Sequence, residues 1–375
     1  MTAGLLDDVR RMVNEQLKPY DRQIEQTGRI PKDALDAIRK MGLFGCYTPA
    51  HYGGLGLDLL STSTVIEEIA RAHIAYFYAY SMNVHIASKG IELYGSEQQR
   101  KRWLPGLASG RQIGCFALTE ERAGSDAAAV ATTAAPDGDG YVLAGRKRYI
   151  TNAPIADLAI VLATRDPTGG KRAISAFVVE KGTPGFRTGE VSAMAGGHGA
   201  LQAEIVLDNC RIPRENLLTS NGFALAMESL DIGRVCWAAY SVGAASQLID
   251  MARAHLLRRH QFGRPLAANQ GLRWMIADMV AQLHAARLVT HDAAVNYDRR
   301  SPQRTMLAAT AKLIASEMVG RVADTTMQLL GGEGYRTDRP VERIWREVRA
   351  IRILEGTSEI MRNIIARDTL REPHP

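Results

Sequence analysis

The chain has 375 residues, 46% hydrophobic and 23% charged, with 46 Lys and Arg against 40 Asp and Glu for a formal charge of +6. That balance excludes a disordered, collagen-like or disulfide-framed chain. The basic residues are scattered, without the Lys/Arg block that tracks a phosphate backbone, so no nucleic-acid partner is expected.

Four cysteines, Cys46, Cys115, Cys210 and Cys236, form no CxxC pair and read as reduced thiols, with no metal site expected. The N-terminus carries Asp7, Asp8, Arg10 and Arg11 where a signal peptide has its apolar core. No apolar run reaches the roughly 18 residues that span a bilayer, so a cytoplasmic protein without a membrane anchor is expected.

Residues 1–112 read as an N-terminal α-helical domain. Ala34, Leu35, Ile38 and Met41 recur at helical spacing from Pro31 to Met41, with Gly42 as a stop. Ser61 to Ala72 and Tyr80 to Tyr94 follow the same rule, and Ser96 with Gln99 has the form of a capping box. Residues 113–218 change period and read as a central antiparallel β-domain. The runs at 141–143, 159–164, 174–179 and 203–207 are short and β-branched, separated by turn clusters such as Pro136-Asp-Gly-Asp-Gly140. A sandwich and a barrel both fit. The absence of βαβ alternation leaves a Rossmann sheet unsupported. Residues 219–375 return to long helices. Leu272, Met275, Ile276, Met279, Val280 and Leu283 form one stripe and Leu307, Ala311, Ile314 and Met318 another, which suggests a four-helix bundle. The fold class is therefore α+β, mainly α.

Familiar catalytic motifs such as GxxxxGK[ST], HExxH and GxSxG are absent. Gly53-Gly-Leu-Gly56 and Gly331-Gly-Glu-Gly334 do not follow a strand and open a helix, so by themselves they read as tight turns. Longer strings say more. They are Tyr52-Gly-Gly-Leu-Gly-Leu-Asp58, Phe116-Ala-Leu-Thr-Glu120, Ala123-Gly-Ser-Asp126, Ile150-Thr-Asn-Ala153, Arg259-His-Gln-Phe-Gly263, Gln328-Leu-Leu-Gly-Gly-Glu-Gly-Tyr335 and Glu355-Gly-Thr-Ser-Glu359. In this order and spacing, from about Ile30 to Leu370, the chain closely resembles the acyl-CoA dehydrogenase family.

The resemblance implies helical, β and four-helix-bundle domains. It also implies FAD, an acyl thioester substrate, loss of the α proton to a base and passage of the β hydride to flavin N5. An α proton beside a thioester is weakly acidic, so such chemistry needs a placed base and donors at the enolate oxygen. Glu355 matches the family's base, and its backbone N–H is expected to help bind the thioester carbonyl alongside Gly356. Alone, Glu355 reads rather as a solvated glutamate at a helix end, and it is the full string that favours the catalytic role. Relatives that carry the base in the bundle instead match Gly233, which has no side chain to serve.

By the same resemblance, Phe116, Leu118, Thr119, Tyr149 and Thr151 surround the flavin ring, with plain β-core as the competing reading of Phe116 and Leu118. Tyr149 stands where the family usually has Trp. Arg259, Phe262 and Gln270 match a group that reaches a neighbouring subunit's FAD, and Arg259 alone reads as a solvated helix charge. Gln328, Gly331 and Gly332 match the stretch along the ADP part, and Thr357 and Glu359 the adenosine half. A cofactor shared in this way implies a homo-oligomer, by family habit a tetramer. Ser125, Asp231 and Arg234 match substrate contacts, although the last two could form a simple intrahelical ion pair.

The chain departs from the family at Glu121-Arg122, where Pro-Gly is usual, and at Met194 to Gln202, which lacks the usual Arg and Ser/Thr and carries His198. Relatives acting on acyl groups tethered to an acyl carrier protein also vary there. CoA is the favoured tether, and an electron-transfer flavoprotein the expected acceptor. The alternatives are a carrier-protein dehydrogenase of a secondary-metabolite pathway, a flavin-dependent monooxygenase of the same fold, and a helical scaffold without cofactor.

Overall fold

The computed structural model describes residues 3–370, so the ends of the first and third expected domains lie outside the described residues. The N-terminal helices are α1 (Ala3–Met12), α2 (Asp21–Thr27), α3 (Lys32–Lys40), α4 (Leu59–Ile69), α5 (Ile74–Ser81), α6 (Ser88–Tyr94) and α7 (Glu97–Ala108). The expected capping box opens α7, where Ser96 N–H donates to Gln99 Oε1 at 2.7 Å and Gln99 N–H to Ser96 Oγ at 3.3 Å. Helix α4 begins two residues before the expected Ser61, because Asp58 caps it by accepting from Ser61 N–H at 2.7 Å. The helix expected at Tyr80 begins at Ile74 instead. Every residue of Ile74–Ser81 is buried, so no polar face marks the start. A π-helical segment, Met82–Ala87, joins α5 to α6.

Eight strands follow: β1 (Gly114–Ala117), β2 (Thr133–Asp137), β3 (Gly140–Thr151), β4 (Leu158–Thr164), β5 (Ile174–Glu180), β6 (Phe186–Val191), β7 (Gln202–Pro213) and β8 (Leu217–Thr219). They form one sheet in the order β6-β7-β3-β2-β4-β5-β8, with β1 also on β4, rather than two separate sheets of a sandwich. Most pairings are antiparallel, as expected, but β1 and β2 each pair with β4 in parallel. Parallel neighbours need a long connection, and the β2–β3 hairpin lies between β1 and β4 in the chain. Bulges in the β3–β7 pair bend both long strands, and one of them sits between Lys147 and Ile150, where Tyr149 departs from the ladder. The exposed strand β6 was missed because its inner residues, Arg187, Thr188, Gly189 and Glu190, carry no apolar alternation.

The third zone contains α8 (Gly222–Arg258), α9 (Gln270–Asp298), α10 (Arg304–Leu330), α11 (Pro340–Arg349) and α12 (Ser358–Thr369). Helix α8 is nearly unbroken in burial from Asp231 to Ala245. It packs against α4 and the π segment on one side and α9 and α10 on the other. It therefore passes through the interior, which puts any functional side chain on it far from water. No described helix is long and apolar enough to cross a membrane.

Candidate active site

The turn between α11 and α12 carries Glu355 in a left-handed conformation, φ +50°, followed by Gly356 at φ +101°. A non-glycine residue there is uncommon and needs support. Two buried cations supply it. Arg234 Nε on α8 donates to the Glu355 carbonyl at 3.4 Å, and Lys312 Nζ on α10 donates to the Gly356 carbonyl at 2.6 Å. Thr357 then caps α12, its hydroxyl accepting from Ile360 N–H at 3.3 Å.

The turn throws the Glu355 side chain onto α8. Trp237 Nε1–H donates to Glu355 Oε1 at 3.0 Å. The other oxygen, Oε2, is buried with no hydrogen-bond partner among the described residues. Oε2 occupies the space above Gly233, and a Cβ at that position would overlap it. Gly233 and Trp237 are four apart, on one face of α8. Burial pushes the Glu355 carboxyl up to about 7, against the Trp237 hydrogen bond and the charges of Arg234 and Lys312, which pull it down. The solvated reading of Glu355 is thereby excluded. Burial also brings Lys312 down to about 8.

Asp231 and Arg234 do form the i,i+3 pair, but a buried one. Arg234 Nη1 donates to Asp231 Oδ1 at 2.6 Å, and Thr305 Oγ1 to Asp231 Oδ2 at 2.6 Å. Arg234 thus faces Asp231 with one nitrogen and the Glu355 backbone with another. Trp237, Lys312, Thr305 and the clearance at Gly233 were missed in the sequence. The i,i+4 spacing of Gly233 and Trp237 beside the recognised Arg234 was the available signal.

Phe116, Leu118 and Thr119 lie on and just after β1, beside β3. Thr119 C=O accepts from Arg148 N–H at 2.8 Å, next to Tyr149. Leu118 is buried in an apolar cluster with Ile160 and Val178, and Phe116 packs partly buried against it, as the β-core reading of these two residues expects. Tyr149 has φ +57° and is 55% exposed, in contrast to its neighbour Ile150 at 2%. Thr151 pairs with Gln202 at the end of β3. Ser125 is exposed on the loop between β1 and β2.

Arg259, Phe262 and Gln270 are exposed between α8 and α9, and Phe262 is 99% uncovered. Gln328, Gly331 and Gly332 are exposed at the end of α10, and Glu359 is exposed on α12. Gly331 has φ +57°, and nothing stands within 4 Å of where a Cβ would be at either glycine. The helical rise separates Arg234 from the end of α8 at Arg258 by roughly 36 Å. Within one chain, therefore, Arg259 and Phe262 do not meet Glu355.

The divergent segment after β6 is pinned to the N-terminal helices. Arg346 Nη1 donates to Ala195 C=O at 3.0 Å, and His198 Nδ1 lies 3.3 Å from both the Glu25 carbonyl and Glu25 Oε1. These contacts tie the segment to Glu25 on α2 and Arg346 on α11.

The described chain thus combines a helical layer, a central sheet and a helix bundle around a carboxyl group that has one bonded and one free, buried oxygen. Three family descriptions match consecutive stretches: the acyl-CoA dehydrogenase N-terminal domain at 3–111, middle domain at 115–210 and C-terminal domain at 220–370. An acyl-CoA dehydrogenase of Bacillus subtilis is 38% identical over 361 residues, covering 96% of this chain and 95% of that protein. Butyryl-CoA dehydrogenase from Megasphaera elsdenii superposes with a TM-score of 0.96 at 34% identity, covering 99% of each chain. A chain solved in work on the electron-transferring flavoprotein of Acidaminococcus fermentans gives 0.96 at 36% identity, again covering 99% of each. The chain belongs to the acyl-CoA dehydrogenase family, whose members are FAD-dependent oxidoreductases.

Proposed function

We propose that this enzyme dehydrogenates acyl-CoA thioesters between Cα and Cβ with Glu355 as the base. The observation that carries the assignment is Glu355 Oε2, buried and without a partner, on a carboxyl poised at about 7. A base of that pKa is half ionised near neutrality and strong enough to take a weakly acidic proton. Oε2 takes the α proton while Trp237 keeps Oε1 fixed. The backbone N–H of Glu355 and the Gly356 segment, held by Arg234 and Lys312, face the thioester oxygen. Asp231 and Arg234 act through that turn as positioning residues, and Ser125 on its exposed loop contacts the CoA arm.

FAD supplies the two-electron acceptor for the hydrogen that leaves Cβ. The uncovered ring of Tyr149 beside Thr151 fits a flat tricyclic group, and the open backbone at Gly331 and Gly332 fits a pyrophosphate. Phe116, Leu118 and Thr119 back the ring. Arg259, Phe262 and Gln270, with Gln328, Gly331, Gly332, Thr357 and Glu359, bind the rest of FAD across subunits. The distance of Arg259 and Phe262 from Glu355 along α8 and the bare ring of Phe262 support a homo-oligomer, which by likeness to the family is a tetramer.

We set the domain limits at 1–112, 113–218 and 219–375, which keep each matched family stretch whole. An electron-transfer flavoprotein is the acceptor, by likeness to the chain from the Acidaminococcus work. Four buried, unpaired cysteines suit a reducing cytoplasm. The similarity to a butyryl-CoA enzyme favours CoA over a carrier protein. The test is anaerobic bleaching of the bound flavin by short acyl-CoA thioesters, in wild type and in Glu355→Gln. Full bleaching in the variant at the wild-type rate would refute the assignment of the base.

A further inference from the structure

The turn that carries Glu355 has little apolar anchorage of its own. Ile351 is 0% exposed and Ser358 4%, but Arg352, Ile353, Leu354, Gly356 and Thr357 between them all remain at least partly exposed. A segment with so few buried contacts opens easily. This one also holds Glu355 at φ +50° and Gly356 at φ +101°. Polar bonds must keep it in place. Arg234 and Lys312 fix its middle, at the Glu355 and Gly356 carbonyls. Its two ends need fixings of their own.

One side chain on α10 faces both ends. Ser358 Oγ, at the first position of α12, donates to Glu317 Oε1 at 2.7 Å. Arg352 Nη1, on the entering side, lies 3.5 Å from Glu317 Oε2. The two oxygens of one carboxylate thus meet residues on either side of Glu355. Gly320, one turn on from Glu317, leaves room for the guanidinium, since a Cβ there would already stand 3.4 Å from Arg352 Cζ. The serine arm is the stronger. Its bond is short and its side chain buried, whereas the arginine side chain is 34% exposed and its pair longer.

We propose that Glu317 is a positioning residue for the base, its carboxylate spanning the turn from Arg352 to Ser358 and setting where Glu355 Oε2 stands. The proposal rests on the reading of Glu355 as the base. Glu317 bonds the segment and not the Glu355 carboxyl, whose Oε1 is taken by Trp237. Burial, which raises that carboxyl to about 7, does not depend on Glu317. Loss of Glu317 therefore alters the position of the base and not its strength. Position matters steeply, because proton transfer requires close approach and alignment.

The experiment follows proton transfer alone. Acetyl-CoA has α hydrogens but no Cβ, so it cannot be dehydrogenated. In D₂O a base that removes an α proton and returns a deuteron makes the acetyl group heavier, read by mass spectrometry. Wild-type holoenzyme is compared with Glu317→Ala, Glu317→Gln and Ser358→Ala at equal bound flavin. Glu317→Ala and Ser358→Ala should lower the saturating exchange rate by about tenfold or more. Half-saturating acetyl-CoA should stay within about twofold, and the acidic limb of the rate within about 0.3 pH unit. Glu317→Gln keeps an oxygen for Ser358 and should return the rate to within about threefold of wild type. A merely supporting role would lower melting temperature and flavin content and leave the rate per flavin unchanged. An exchange rate within about twofold of wild type in Glu317→Ala, a displaced acidic limb, or no recovery with Glu317→Gln would overturn the proposal. If Glu317→Ala does not hold flavin, Ser358→Ala decides by the same limits. Exchange in wild type that survives in the variants leaves the base reading standing. No exchange even in wild type defeats that reading, and the proposal falls with it.

Discussion

Replacing Trp237 with Phe removes one N–H from the active site and keeps an aromatic ring in place. The indole donates to Glu355 Oε1 at 3.0 Å, and the acceptor carries the charge that the base must hold. A hydrogen bond to an ionised group contributes about 1.5–3 kcal/mol, and one pKa unit corresponds to about 1.4 kcal/mol. The carboxyl, already raised to about 7 by burial, should then climb by roughly one to two units. At pH 7 the ionised fraction would fall from about one half to roughly 1–9%. The value of kcat/KM at that pH should drop roughly 5- to 50-fold. At pH 10 the base is ionised in both proteins, so the ratio should return to within about twofold. The assay is the pH profile of kcat/KM with an artificial electron acceptor, with thermal melting to follow the loss of packing against Phe77, Tyr78 and Tyr240. An equal loss at every pH, with an unmoved acidic limb, would refute the role of the indole N–H.

Glu355→Gln should retain flavin absorbance but lose turnover by about 3 or more orders of magnitude, measured by anaerobic bleaching rate. The same variant should stabilise the substrate-free protein. A carboxyl raised from 4.5 to about 7 holds its proton more tightly when folded, so stability falls as pH rises through that window. The gain from the substitution should thus be absent near pH 4 and approach about 3 kcal/mol above pH 8, read from denaturant melts. Gly233→Ala should displace Oε2 and cut kcat by about tenfold or more, while the double change Gly233→Glu with Glu355→Gly should recover part of the activity by bringing a carboxylate into the same space from α8. Arg259→Ala should release FAD on gel filtration and weaken the proposed homo-oligomer, whereas bound flavin and an unchanged elution volume would count against the shared site.

The three zones were legible because each has its own period and because the recognised strings carry spacing that chance rarely reproduces. The capping box at Ser96 and Gln99 is local chemistry and was readable for that reason. The start of α5 was not, because a helix buried on every side has no polar face to mark its phase. Nor were the parallel partners of β4, since register between distant strands leaves no local trace. At the site, Glu355 was legible through the string around it, but the surroundings that suit it to the proposed role of base were not. Trp237, Lys312 and the clearance at Gly233 that admits Oε2 arrive from two other helices, and only folding reveals that they converge.

Their convergence also resolves a conflict. A base must be fixed in place, and the strongest fixings are cations; yet a cation bonded to a carboxylate lowers its pKa and weakens it as a base. Here both cations bond the backbone instead, Arg234 at the Glu355 carbonyl and Lys312 at the Gly356 carbonyl. The carboxylate itself receives one neutral donor, Trp237. Position thus comes from charge acting on the main chain, and basicity from burial acting on the side chain, and the two can be altered separately. Lys312→Met should loosen the turn and raise KM, since it frees the segment facing the thioester. Its effect on the acidic limb of the pH profile should be smaller than that of Trp237→Phe. A larger shift with Lys312→Met would mean that the lysine charge, and not the indole N–H, sets the pKa of the base.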